Sequence, residues 1–122
     1  MYNLDEQSLH DLIIHHVKAK YSKIHKEVHT NPGEEKNFEV QGFYPDIAFG
    51  GYGQITQIIE VETENNLHKE RVPYWESLAR TGKQVTILVA KRHQRTLTDL
   101  LWKTGLMGKF KVATFDIVFE NL

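Results

Sequence analysis

The sequence predicts an α/β domain with a mixed central sheet and helices on both faces, and three observations lead there. Apolar residues recur at helical spacing near the start of the chain. Residues 84–90 (Gln84-Val85-Thr86-Ile87-Leu88-Val89-Ala90) form a nearly continuous apolar run, as expected of a strand covered on both faces. That run lies between two helical segments, and strands joined through helices tend to be parallel and to need covering on each side.

Taken in order, residues 5–22 read as a first helix, with Leu9, Leu12, Ile13, Val17 and Tyr21 at three- and four-residue spacing and His16 on the same stripe. Residues 24–30 read as a strand, followed by the turn Asn31-Pro32-Gly33 and, after Gly42, a second strand over 43–49. Gly50-Gly51-Tyr52-Gly53 suits the positive φ values of a tight hairpin, and residues 54–63 supply the third strand of an antiparallel meander. Asn65 or Asn66 caps a helix that runs to Ala79 or Arg80 and is closed by Gly82, with Pro73 either starting its regular part or bending it. Residues 84–90 are the central strand. A helix from Arg95-Thr96 through Leu97, Leu100, Leu101 and Trp102 ends near Gly105, and residues 110–119 form the last strand. The order is αβββαβαβ.

At 122 residues, one domain spanning 1–122 is expected, long enough to bury a core. The 40% hydrophobic and 25% charged content is that of an ordinary globular protein. Fifteen Lys+Arg against sixteen Asp+Glu give a net charge of −1, so any nucleic-acid face has to be local. With no cysteine, disulfides and thiolate metal sites are excluded. Residues 1–6 are acidic without a hydrophobic signal core, and no apolar run approaches the ~18 residues of a membrane span, so a cytoplasmic protein without membrane association is expected.

The chemistry concentrates at Tyr44-Pro45-Asp46-Ile47-Ala48-Phe49 and Glu60-Val61-Glu62. Side chains alternate along a strand, so Glu60 and Glu62 share a face, Val61 turns to the opposite layer, and the hairpin brings Asp46 alongside. Clustered carboxylates repel unless a cation or a raised pKa compensates. Mg²⁺, which takes one or two carboxylates and keeps several waters, is one such cation. The opposing reading makes Glu60, Glu62 and Glu64 the solvated face of a half-exposed strand.

Pro45-Asp46, the hairpin and Glu60-Val61 resemble the core motif of the PD-(D/E)XK nuclease superfamily: Pro-Asp, a hairpin of variable length, then Glu-x-Lys in a hydrophobic strand. Glu62 stands where the family usually has lysine, a departure that some restriction enzymes of the superfamily share. The resemblance covers most of the chain. It implies a restriction endonuclease-like core and Mg²⁺- or Mn²⁺-dependent hydrolysis of phosphodiesters. In that reading Asp46, Glu60 and Glu62 are the active-site residues, and Asp46, Glu60 and the Val61 carbonyl are metal ligands. The partner implied is nucleic acid, with DNA favoured, read by a homodimer or with a partner subunit. A catalytically silent module for nucleic-acid binding or dimerisation is the alternative, since the motif lysine is missing. A regulatory domain that binds no nucleic acid is a third.

Other residues weigh less. Lys69 and Lys83 are candidates to replace the missing cation, and Glu6 or Glu27 could add a carboxylate, although both read more readily as surface residues. His10, His15 and His16 make no i, i+4 pair, which leaves His16 as a packing residue and the remaining histidines on the surface. Lys91-Arg92-His93-Gln94-Arg95 follows the C-terminal end of the central strand, where open α/β sheets gather binding sites, and reads either as a phosphate-holding loop or as a solvated one. Tyr74 could stack a base, while Trp75 fits the core.

Overall fold

The structure is a computed structural model that describes residues 4–121, with side chains from residue 6 onward; the start of the acidic segment 1–6 lies outside the described residues. Helix α1 spans Leu4–Tyr21. Strands β1 (Glu27–Thr30), β2 (Ile47–Gly51) and β3 (Gln54–Val61) follow, then helix α2 (Val72–Ala79), β4 (Gln84–Ala90), α3 (Gln94–Lys103) and β5 (Lys111–Phe115). The sheet order is β1-β2-β3-β4-β5, antiparallel across the first three strands and parallel across the last three. Among the described residues no helix is long and apolar enough to cross a membrane.

The β2–β3 hairpin turns on Tyr52-Gly53, both at positive φ (55° and 78°), the combination whose twist matches two adjoining antiparallel strands. The register shifts between Phe49 and Gly50, where a β-carbon on Gly50 would lie 2.2 Å from the Gln54 carbonyl oxygen. Only glycine fits there.

Alternation along the strands builds two cores. Ala48, Ile58, Val85, Ile87 and Val89 face α2 and α3, where Trp75, Leu78, Leu97 and Leu101 pack. Ile47, Phe49, Ile59, Val61 and Leu88 face α1, with Ile13 and Ile14. Ile87 and Val89 are fully buried, in keeping with an interior β4.

Several boundaries differ from expectation. Glu64–Asn66 and Lys69–Arg71 form two 3₁₀ turns, and α2 begins only at Val72 with Pro73 in its first turn, where the missing N–H of proline costs no hydrogen bond. Residues 24–26 and 43–46 lie outside strands; Phe43 makes only an isolated bridge to Val40. β5 stops at Phe115, because no strand lies beside residues 116–119.

Asn31 fixes the loop that precedes β2. Its buried side chain donates to the Phe38 and Pro45 carbonyls and accepts from the Asn37 and Phe38 amides, while its own N–H donates to the Asp46 carbonyl. This clamp holds Pro45-Asp46 against the sheet.

Candidate functional site

The site lies where β2 begins and β3 ends. Asp46 and Glu60 interlock there: the Asp46 N–H donates to Glu60 Oε2 at 2.8 Å, and Asp46 Oδ2 accepts the Val61 N–H at 2.8 Å. The β3 alternation puts Glu60 and Glu62 on the α2 side, with Val61 in the α1 core. Both glutamates are buried, with relative exposures of 2% and 0%. The solvated-face reading therefore fails for these two, and holds only for Glu64, whose carboxylate is exposed.

Each carboxylate has protein partners. Glu62 receives Arg71 Nε at 2.8 Å and Nη2 at 3.3 Å, and its Oε2 also accepts the Trp75 indole N–H at 2.6 Å. Arg71 Nη2 stands 3.8 Å from Glu60 Oε1, and the guanidinium lies 4.2 Å from the centre of the Tyr74 ring. The Tyr74 hydroxyl bonds to Glu60. Asp46 Oδ2 meets His10 Nε2 at 3.1 Å, and His10 Nδ1 meets Asp11 Oδ1 at 3.0 Å.

A histidine held by a carboxylate on each ring nitrogen is a double donor, hence an imidazolium. Burial opposes that charge, but the hydrogen bonds and attraction of Asp46 and Asp11 outweigh it and push the His10 pKa up to about 9. Burial, reinforced by Asp46 and Glu62, drives the Glu60 carboxyl well above the ordinary carboxylate range. Burial also raises Glu62, against the pull of Arg71 and the Trp75 indole. Arg71 is held more firmly protonated than usual: its own burial is outweighed by Glu62 and then Glu60. Tyr74 is raised by burial and by Glu60.

The structure brings Asp46, Glu60 and Glu62 together and adds His10, which the sequence reading left on the surface, and Arg71, which it did not single out. His10 is buried, not a surface histidine, while His16 is exposed rather than packed. The buried stripe of α1 runs through His10, Ile13, Ile14, Val17 and Tyr21, also at helical spacing, so the face is rotated by about one residue from the one through Leu12, which is 57% exposed. Reading that alternative stripe would have found His10. Arg71 sits between a 3₁₀ turn and a proline-started helix, where no periodicity marks a residue as inward.

Lys69 is exposed, and Lys83 precedes β4 at the end of the strand opposite the carboxylates. Glu6 bonds to the Asn65 backbone and side chain, and Glu27 to Gly53 and His29. Trp75 is fully buried. Lys91, Arg92 and His93 form a 3₁₀ turn after β4, at the same sheet edge as Glu60 and Glu62, since Val61 pairs with Leu88.

In ligand chemistry Asp46 and Glu60 suit a hard divalent cation, which needs only one or two carboxylates and otherwise retains water. Among the described residues no three His, Cys, Asp or Glu side chains are grouped as a ready metal cage. Comparison with protein-family models, with curated proteins and with solved structures finds no match to the chain.

Proposed function

We propose that the domain is a nuclease-like protein with a restriction endonuclease-like core that hydrolyses nucleic-acid phosphodiesters with Mg²⁺ or Mn²⁺, DNA being the favoured substrate. The observation that carries the reading is the interlocked Asp46–Glu60 pair with Glu62 buried beside it. Three converging carboxylates are costly to assemble without positive charge nearby. Asp46, Glu60 and the Val61 carbonyl would hold the ion, which when bound polarises a phosphoryl oxygen and lowers the pKa of an attacking water. Arg71 offers the fixed cation that position 62 lacks. It reaches both Glu62 and Glu60, keeps 28% of its side chain exposed, and is suited to neutralising charge on a phosphate at the mouth of the site. His10 holds Asp46 through Oδ2 and orients it. Lys91 and Arg92, exposed at the same edge, would take the flanking backbone phosphates.

A second reading, a catalytically silent module that binds nucleic acid or dimerises, has its own support. His10 and Arg71 already balance Asp46 and Glu62, which lessens the demand for a metal. The test is a panel of labelled single-stranded, duplex and branched DNA and RNA with Mn²⁺ or Mg²⁺, run on wild type and Glu60→Gln, together with thermal melts with and without the metal. The nuclease reading expects cleavage that falls by orders of magnitude in Glu60→Gln, and a metal-dependent rise in the wild-type midpoint, since a ligand that prefers the native state stabilises it. Absence of both cleavage and midpoint shift in wild type sinks the nuclease reading and leaves the silent one.

A further inference from the structure

We propose that the groove between α1 and the sheet is a binding site for a small amphipathic carboxylate, a molecule with an apolar body and one anionic end.

Both α2 and α3 lie on one face of the sheet, whereas α1 lies alone on the other. The α1 face of β4 and β5 is thereby left as the floor of a groove of about 750 Å³, within the range of small-ligand clefts and on the opposite face from Glu60 and Glu62. The chain after β5 does not fill it. Ile117 and Val118 line one wall yet stay 47% and 70% exposed, and the volume remains with that wall in place.

Strand register grades the groove from polar to apolar. At one end Thr86 stands beside Lys111 and Gln57 beside Phe49, whose ring meets His25 at 4.2 Å and Tyr21, the neighbour of Lys20, at 5.5 Å. Two residues farther along, Leu88 stands beside Ala113, and Phe115 follows. Leu12 and Ile13, about two turns earlier in α1, wall this apolar end. From Lys111 to Phe115 the floor runs roughly 13 Å.

Charge and hydrogen bonding select the occupant. Lys20 and Lys111 line the groove, and neither pairs with a carboxylate among the described residues. The one acidic residue of the described lining, Asp116, follows Phe115 at the other end. Thr86 is 6% exposed, and its hydroxyl lies on the groove without a hydrogen bond to another described residue, so its partner has to come from whatever enters. Phosphate is a poorer match than carboxylate. No arginine is among the described lining, and the helix end nearest the lysines is the C-terminus of α1, whose carbonyls repel a dianion. One carboxylate matches two lysines, the Thr86 hydroxyl and the Gln57 amide, while its apolar body lies along Leu88, Ala113 and Phe115.

Isothermal titration calorimetry of the full chain with decanoate, whose extended chain is about as long as the floor, tests this at concentrations up to about 1 mM. Decylammonium and decyl phosphate are the comparison arms. Wild type should bind decanoate at one site, about tenfold or more tightly than decylammonium. Lys20→Glu/Lys111→Glu, confined to exposed positions, should weaken decanoate by about tenfold or more with an unchanged circular dichroism spectrum. Should that variant fail to fold, Lys111→Gln alone carries the same test. Thr86→Val, which keeps the shape of the side chain, should weaken decanoate several-fold through the lost hydroxyl. A wild type that takes up no decanoate, equal affinity for decanoate and decylammonium, tighter binding of decyl phosphate, or an affinity indifferent to the lysine changes would each overturn the proposal. None of these readouts uses nuclease activity, so the proposal stands or falls apart from the catalytic reading.

Discussion

Replacing Arg71 with alanine isolates the electrostatic core of the site. The guanidinium makes two contacts to Glu62, at 2.8 and 3.3 Å, approaches Glu60 to 3.8 Å and covers the Tyr74 ring at 4.2 Å. Without it, the fully buried Glu62 retains the Trp75 indole as its one short donor. Removing one partner of a buried pair costs about 3–5 kcal/mol. Water already reaches the outer part of Arg71 and Glu62 has the option of binding a proton, so the lower end, about 3 kcal/mol at neutral pH, is expected. Glu62 in the variant has a folded pKa raised further above its unfolded value. Its contribution is then intact at low pH and lost as pH rises, and the deficit relative to wild type shrinks toward pH 5. Urea unfolding followed by tryptophan fluorescence measures both quantities, with the buried Trp75, bonded to Glu62, reporting the transition. A deficit below about 1 kcal/mol at neutral pH, the range of exposed substitutions, would refute the claim that Arg71 neutralises the site. The same geometry argues against Glu62→Lys, because it would remove the carboxylate that pairs with Arg71 and set a second buried cation beside the guanidinium.

Three further outcomes follow from burial and charge. The His10 pKa, raised from 6.5 to about 9, corresponds to about 3 kcal/mol of stability that is complete below pH 6.5 and lost as pH rises through 9; urea midpoints of wild type and His10→Gln across that window should converge at the alkaline end, and parallel profiles would exclude the imidazolium clamp. Glu60 is raised, so its contribution is complete below its unfolded pKa and lost as pH climbs through the folded value; Glu60→Gln should therefore gain stability relative to wild type as the pH is raised, and a gain confined to acid would contradict the assignment. Ile87→Ala should cost roughly 2–5 kcal/mol in the same assay, as truncation of a fully buried core residue, and a loss under about 1 kcal/mol would be inconsistent with an interior β4.

The sequence was most legible where a pattern has one physical cause. The apolar run of β4, the glycine-rich hairpin and the i, i+2 pairing of Glu60 with Glu62 all follow from backbone sterics and strand alternation, and each is found in place. Legibility ended where two patterns competed or none existed. α1 offers two overlapping apolar stripes, and the choice between them depends on which half of the sheet it covers, a tertiary fact. Arg71 is inward because Glu62 is buried, and a nine-residue separation through irregular turns leaves no local trace of that pairing. The final strand was expected to run to residue 119 because its alternating apolar residues continue, but the hydrogen-bonding partner strand ends first.

The Asn31 clamp has a bearing on how the chain tolerates change. One amide side chain ties Phe38 and Pro45 to the end of β1, and within residues 32–36 the Gly33 N–H donates to Asp11 Oδ1, the carboxylate that holds His10. Four of those five residues are exposed. Extra residues inserted there lengthen a closed loop, whose entropic cost grows only slowly with length. Insertions placed after Gly33, which keep both its bond to Asp11 and the Asn31 clamp, are therefore expected to leave the acidic centre in place, whereas the two-residue hairpin at Tyr52-Gly53, which sets strand register, admits no such insertion.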